Sequence, residues 1–472
     1  MPALTLEEVE VKVMAAKPWK AAGTDGLPAM VWRQLWPVVK HRVLALFQAS
    51  LRDGVVPDQW RTAKVIPLKK PEKGDYTEAK AWRPISLLPT LGKILEAVVA
   101  ERISYVVETY GLLPANHFGA RKRRSAEQGL LLLQEQIYKA WRARKVLSLI
   151  SFDVKGAYNA GLPQGSPLSP VLFLFFNADL VQRRIKAAGG SIAFIDDYSA
   201  WVTGRTAEAN RAGIQVIIDE AIDWEKRSGA TFEVDKTTIV HFTRGTARND
   251  GSFWIKGTEV KPKRSAKILG VIMDSALRYQ IHMARAAQKG LTAAMNLRRL
   301  KLLSPRVARQ LFMATVAPAM DHASNVWMHA RRAKETGWLN KAQRIGAQAI
   351  TGSFQTVSIA VAEAEAGIRA VGERHQQAAT RLCVNLRTLP QTHPLAALKN
   401  KASKRCLSPM QGIAAMVAKG STERMEVIHE HALRPWTDRI PVLGQDDIVE
   451  TRAPYDVQNI LIATAASLRH GT

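Results

Sequence analysis

The sequence predicts an α+β fold organised around a split βαβ core, and three observations lead there. A strand-like run ending in a carboxylate (Val146 to Asp153), an apolar helix (Val171 to about Ile185), a hairpin-like stretch (Ala193 to Val202), an amphipathic helix (Ile214, Ile217, Ile218, Ala221, Trp224) and a β-like run (Thr231 to Phe242) follow one another in that order. Two adjacent carboxylates, Asp196 and Asp197, fall at the turn of the hairpin stretch. Beyond it, Lys261 to Gly346 holds 17 Lys/Arg against three acids, a net +14, and from about residue 282 to about 350 it has helical patterning.

The remaining elements follow from local signals. Residues 5 to 60 pattern as helices around a Gly/Asp turn at 17–26. Val65 to Leu68 is a short strand, followed by a Lys/Pro/Gly loop. Leu95, Val98, Val99, Ile103, Val106 and Val107 recur at helical spacing, as do Leu130, Leu133, Ile137 and Trp141. Gly229 stops the helix that begins near Ile214. An apolar β-like run, Asn459 to Thr464, lies near the end.

Composition narrows the function. The 472 residues suggest two to four domains, and a hydrophobic content of 47% is ample for real cores. A net charge of +26 implies a polyanionic partner, nucleic acid before a membrane surface. Cys383 and Cys406 are too few for a disulfide framework or a four-ligand zinc knuckle, which fits a reducing, intracellular compartment. The apolar run Val171 to Phe176 is far too short to span a bilayer, and the first residues lack a basic-then-apolar signal pattern. Like charges as close as Asp196 and Asp197 raise each other's pKa unless a cation neutralises them, so a divalent metal site is the sharp reading and a solvated acidic turn the bland one.

Three stretches in one order decide between these: Phe152 to Tyr158 (Phe-Asp-Val-Lys-Gly-Ala-Tyr), Gly161 to Pro170 (Gly-Leu-Pro-Gln-Gly-Ser-Pro-Leu-Ser-Pro) and Phe194-Ile195-Asp196-Asp197. They resemble the palm motifs of reverse transcriptases, those of non-LTR (LINE-like) retrotransposons in particular. Trp82 to Leu88 and Phe118 to Arg121 resemble that branch's fingers motifs, Lys17 to Met30 its N-terminal extension, and Lys267 to Val271 its primer-grip region. The wording of Asp196 to Gly204, Trp224 to Ala230 and Thr392 to Leu395 is most similar to fungal elements of the branch.

The resemblance implies a right-hand polymerase fold with fingers, a palm and a helical thumb, performing RNA-directed DNA synthesis. It assigns Asp153, Asp196 and Asp197, with the Val154 carbonyl, to two Mg²⁺ ions (Mn²⁺ as the alternative), and two such ions suit nucleotidyl transfer because they stabilise attacking and leaving oxygens together. Lys236 matches the lysine placed to protonate pyrophosphate. Lys69, Lys70 and Arg83 match cations that grip the triphosphate, with Lys69 and Lys70 not distinguished; Tyr158 matches a steric gate, and Gln164 and Gly165 a nucleotide-contacting loop. Arg121, Leu269, Gly270, Arg298, Arg299, Lys301, Arg306 and Arg309 are the expected nucleic-acid contacts. The implied partners are an RNA template, a DNA primer or target and dNTPs, without a membrane, in the nucleus or else the cytoplasm.

One departure stands out. In the family several dozen residues separate the Asp153 motif from the Gly-Leu-Pro-Gln-Gly motif, whereas here Tyr158-Asn159 runs directly into Ala160-Gly161. The expected division is therefore 1–145 N-terminal extension and fingers, 146–260 an incomplete palm lacking a segment between 159 and 160, 261–350 basic thumb, 351–455 helical linker region, and 456–472 a truncated start of an RNase H-like domain. On this reading the chain is an internally deleted fragment, without an endonuclease and most of the RNase H domain. The rival expectation is a catalytically inactive nucleic-acid-binding remnant.

Overall fold

The computed structural model describes residues 2–70, 74–155, 162–185, 188–245, 251–300, 302–396, 406–417 and 425–437. Eleven strands are present among them. β1 (Lys64–Lys69) and β2 (Trp82–Leu87) form an exposed antiparallel hairpin. β3 (Val146–Lys155), β4 (Gly190–Phe194), β5 (Asp197–Gly204), β6 (Thr231–Phe232) and β7 (Thr238–Phe242) form the central sheet, in which β3 pairs antiparallel with β5, β6 and β7, and β4 pairs with β5. β8 (Phe253–Ile255) pairs with β9 (Thr258–Val260), and β10 (Ser265–Ile268) with β11 (Val271–Asp274).

Side-chain alternation gives the central sheet two faces. On one, Leu147 and Leu149 of β3, Trp201 of β5 and Val240 and Phe242 of β7 pack beneath the helix Ala126–Arg142, whose buried residues continue into the helices after residue 280. On the other, Ile150, Phe152, Val154, Tyr198, Ala200 and Val202 pack against the helix Arg211–Ser228. Gly229 takes φ 71° and ends that helix, as its position predicts. A separate core joins Leu6–Ala15, Ala29–Asp53 and Thr90–Tyr110.

The basic region is helical, as its patterning predicts. Gln280–Arg299 and Ala333–Thr351 are its long helices. A largely buried network ties Ala333–Thr351 and the short helix Ala317–Asp321 to Val371–Arg387: Arg374 donates to both oxygens of Asp321 (2.6 and 3.2 Å), His375 Nε2 lies 3.1 Å from Asp321 Oδ1, and Arg374 Nη1 also donates to Gln343 at 2.8 Å. Its exposed side carries Arg298, Arg299, Arg306 and Arg309. Among the described residues no helix is long and apolar enough to cross a membrane.

Two elements differ from expectation. The apolar helix is divided at Asn177 into Ser169–Phe176 and Ala178–Gln182; Asn177 keeps backbone bonds to Phe173 and Val181, and its side-chain amide donates to the Ile195 carbonyl at 2.9 Å. The β-like run from Thr231 is interrupted by a 3₁₀ turn at Val234–Lys236, which turns Lys236 toward Asp153. Tyr158, Lys301 and the run Asn459 to Thr464 lie outside the described residues.

Arg102 and Glu8 anchor the N-terminal core. Arg102 donates to both oxygens of Glu8 (2.7 and 2.6 Å) and to the carbonyls of Pro2 and Ala3, and both side chains are almost wholly buried. Removing one partner strands the other charge, so Arg102→Ala is expected to lower stability by about 3–5 kcal/mol, measured as a shift in the urea unfolding midpoint.

Candidate active site

The site forms where the apolar covering of the central sheet ends. Along one face of β3 and β5 the residues pass from Leu149 and Trp201, through Ser151 and Ser199, to Asp153 and Asp197, which are direct cross-strand partners. Ser199 Oγ donates to Ser151 Oγ at 2.9 Å, a polar step between core and carboxylates. Directly opposed side chains on one face stand about 5 Å apart at Cβ. Asp153 and Asp197 are therefore neighbours by register alone.

The turn lies one residue earlier than the Asp196-Asp197 pair suggests. Phe194 pairs with Asp197, so Ile195 and Asp196 are the two loop residues and Asp197 already belongs to β5. Ile195 has φ 55°, a conformation that costs a β-branched residue roughly 1–3 kcal/mol. Neighbours hold it there. Asn177 donates to the Ile195 carbonyl, Val154 N–H donates to the Asp196 carbonyl at 3.1 Å, and Phe118 N–H donates to the Ala193 carbonyl at 2.8 Å. Gly119 follows, where a Cβ would lie 2.6 Å from both the backbone nitrogen and Cγ1 of Ile195. This close approach is why Phe118-Gly119 occurs as a unit.

The electrostatics follow from burial. Burial first, then the charges of Asp196 and Asp153, push Asp197 up to about 7; burial and the Asp153 charge raise Asp196 as well. Three cations act against this. Lys236 donates to Asp153 Oδ2 at 2.7 Å and lies 2.5 Å from Glu233 Oε2. Burial works against the Lys236 ammonium, but those two bonds hold its pKa above the ordinary lysine value. Arg83 acts on Asp196, and Lys267 of β10 acts on Asp197. Among the described residues no three His, Cys, Asp or Glu side chains converge as a group able to hold a metal ion, and Lys236 is the group hydrogen-bonded to Asp153.

The β1–β2 hairpin brings the other predicted cations. Lys69 sits 5.0 Å from the Tyr76 ring centroid and 5.5 Å from that of Trp82, while Arg83 is exposed opposite Leu68. Lys70 is half-buried, its N–H donating to the Ala81 carbonyl. The Gln164 carbonyl accepts from Ser86 N–H of β2 at 2.8 Å, and Gly165, at φ 138°, lies so close to the Ser86 carbonyl that no Cβ fits. The loop is thus fastened to β2 by backbone. Ser166 Oγ then donates to the half-buried Glu96 at 2.5 Å and accepts from Leu168 and Ser169 N–H.

Leu269 and Gly270 form the β10–β11 turn, with Leu269 packed on the core. Arg121 is turned inward: it donates to both oxygens of Glu108 at 2.7 Å and to the Pro114 carbonyl, and its side chain is 4% exposed. It fixes the loop before Phe118 rather than facing solvent, since Glu108 on the helix Thr90–Tyr110 supplies a buried counter-charge that the motif Phe118 to Arg121 does not reveal. Sequence reasoning missed Asn177, Glu96, Glu233 and Lys267. Asn177, Glu96 and Lys267 act through contacts or charges between distant segments, whereas Glu233 is three residues from Lys236 and Lys267 opens the Lys267 to Val271 motif, the two signals the chain offered.

The sheet with its carboxylate end and cation-bearing hairpin corresponds to one class of protein. Residues 68–160 and 159–273 match the family described as reverse transcriptase (RNA-dependent DNA polymerase), and this stretch is a reverse transcriptase domain. Among its relatives are proteins named as RNA-directed DNA polymerases of mobile elements. The chain is 25% identical to the probable RNA-directed DNA polymerase from transposon X-element of Drosophila melanogaster, over 60% of this chain and 37% of that protein. It is 24% identical to the RNA-directed DNA polymerase from mobile element jockey of Drosophila funebris, over 86% and 50% respectively. It is also 24% identical to a putative 115 kDa protein in the type-1 retrotransposable element R1DM of Drosophila melanogaster, over 69% and 36%. The chain thus spans between about a third and a half of these relatives.

Two outcomes are expected. Gly119→Ala should push the Ile195 turn aside and cost about 1–3 kcal/mol, read by thermal unfolding. Asp197 keeps its proton in the native state from about pH 4 to about pH 7, where the unfolded chain has lost it, so its contribution to stability falls as pH rises through that window. Denaturant titrations at about pH 4 and about pH 7 should show a smaller fall for Asp197→Asn than for the unaltered chain.

Proposed function

We propose that this chain is the RNA-directed DNA polymerase of a non-LTR retrotransposon, extending a primer 3′-OH with dNTPs along an RNA template. The observation that carries the reading is the register that sets Asp153 beside Asp197, with Asp196 on the adjoining turn, inside the reverse transcriptase match. We also take the chain to be divided at 145, 260, 350 and 455 into N-terminal extension and fingers, palm, thumb, helical linker region and an RNase H-like segment, with affinity to fungal members and nuclear action.

Carboxylate oxygens are the hard ligands Mg²⁺ prefers, and a divalent cation would offset the burial and mutual repulsion that raise Asp196 and Asp197. The three carboxylates do not converge on one point here, so binding of the ion would draw Asp153 away from Lys236 toward the other two. Asp153, Asp196 and Asp197, with the Val154 carbonyl, would hold it; when bound, two such ions supply positive charge to the attacking and leaving oxygens. Lys236, hydrogen-bonded to Asp153, carries a proton at its Nζ, beside the point where pyrophosphate would leave. Arg83 and Lys69, with Lys70 behind, would take the triphosphate, since their hairpin is fastened to the Gln164–Gly165 loop by backbone. Tyr158 would discriminate against a ribose 2′-OH. Arg298, Arg299, Lys301, Arg306 and Arg309, with the Leu269–Gly270 turn, would follow the duplex backbone.

A second reading, a catalytically inactive nucleic-acid-binding remnant, is favoured by one observation. The family match comes in two pieces that meet at residues 159–160, where the segment following the first carboxylate is expected to be missing. Purified protein given a primed RNA template, dNTPs and Mg²⁺ separates the two. Incorporation that drops by more than about 100-fold in Asp196→Ala supports the polymerase. Salt-sensitive binding of the primed template with no incorporation supports the remnant. In an active protein, Arg83→Ala should raise the KM for dNTP by about tenfold, the loss of one charge-assisted contact.

A further inference from the structure

We infer that Glu96 is a positioning residue: acting through Ser166, it fixes the Gln164–Gly165 loop where an incoming nucleotide would be met. What the loop contacts rests on the polymerase reading; how the loop is held rests on hydrogen bonds within the chain.

One short segment grips the loop twice. β2 leads through Leu88 and Pro89 into the helix Thr90–Tyr110, so Ser86 and Glu96 belong to one continuous stretch. The first grip is backbone: Ser86 N–H donates to the Gln164 carbonyl at 2.8 Å, and Gly165 lies against the Ser86 carbonyl. The second is made by side chains, where Ser166 Oγ donates to Glu96 Oε2 at 2.5 Å. Gly165 thus sits between two fastened neighbours.

The Ser166 hydroxyl needs Glu96. Its oxygen accepts from Leu168 N–H at 3.1 Å and Ser169 N–H at 3.2 Å, which occupies both lone pairs. Ser166 is buried, so its one proton requires an acceptor within the protein, and Glu96 supplies it. Without that acceptor the hydroxyl turns to seek another and gives up the two N–H bonds that shape residues 166–169, where the helix Ser169–Phe176 begins. Burial raises the Glu96 pKa, while the Ser166 bond and the charge of Lys93 on the same helix act in the opposite sense. Helix packing alone gives no reason for a half-buried carboxylate here, whereas a hydrogen bond to a charged oxygen is roughly twice as strong as a neutral one.

The effect is confined to the loop. Asp196 and its turn are held by separate contacts, from Asn177, Val154 and Phe118-Gly119. Loosening residues 164–169 therefore weakens the hold on the nucleotide and leaves the carboxylates in place.

The test uses the full chain with Glu96→Ala, Glu96→Gln, Ser166→Ala and the double variant Glu96→Ala/Ser166→Ala. Amide hydrogen exchange comes first. Peptides covering 163–171 should exchange at least about tenfold faster in Glu96→Ala, while those of the helix Ala126–Arg142 keep their rate. Glu96→Gln retains an acceptor oxygen and should stay within about threefold of the unaltered chain. On a primed RNA template, Glu96→Ala should raise the KM for dNTP by at least about fivefold with kcat changed by less than about twofold. The double variant should match Ser166→Ala in both readouts, because either substitution removes the same interaction. Unchanged loop exchange in Glu96→Ala, faster exchange spread evenly over the chain, no rescue by Glu96→Gln, or additive effects in the double variant each overturn the assignment. If the unaltered chain incorporates no dNTP, the polymerase reading fails, and the exchange rates still decide whether Glu96 holds the loop.

Discussion

The structure depends on holding a two-residue turn, Ile195 and Asp196, against its own backbone preference. Glycine would relax the first position, yet isoleucine occupies it, and the conformation persists because independent segments grip it. The Asn177 side-chain amide donates to the Ile195 carbonyl, Val154 N–H holds the Asp196 carbonyl, and Phe118-Gly119 lies flush against the turn. Strain of this kind is sustained only where surrounding packing over-determines it. The benefit is positional: Asp196 stands on a fixed turn beside Asp197 rather than on a mobile loop.

A second constraint is the graded cover of one sheet face. The helix Ala126–Arg142 seals Leu147, Leu149 and Trp201 but leaves Asp153 and Asp197 beyond its reach, with the Ser151–Ser199 pair between. A fully covered sheet would bury three carboxylates without relief, and an uncovered one would lose its core. The partial cover leaves Asp197 buried enough to be raised to about 7, yet within the influence of Lys267 and Lys236, while Arg83 acts on Asp196. Positive charge is then graded outward, from single cations around the carboxylates to the exposed arginines of the Gln280–Arg299 helix and its successors, in a chain of net +26.

Much of this was legible in the chain. Amphipathic spacing located the helices at 90–110, 126–142 and 211–228, because a 3.6-residue period survives any tertiary arrangement. Asp153, Asp196 and Asp197 were legible as a set through motif wording. The register was not: a hairpin turn can slip by one residue without altering composition, and only the pairing of Phe194 with Asp197 assigns Asp196 to the loop and Asp197 to the strand. Arg121 illustrates the opposite error, since a basic residue in a polymerase-like motif is also what a buried acid such as Glu108 requires.

The sequence by itself determined the class of chemistry: the order of strand, helix, hairpin, helix and strand, the carboxylates at two strand ends and the basic helices beyond. Those are local or compositional properties, written in neighbouring residues. Only the tertiary structure decided which groups meet. Lys236 reaches Asp153 from 83 residues away, Asn177 finds Ile195, and Gly165 slots against Ser86. Each is a contact between segments distant in the chain, fixed by packing and hydrogen bonding rather than by propensity, and so invisible to any window of sequence.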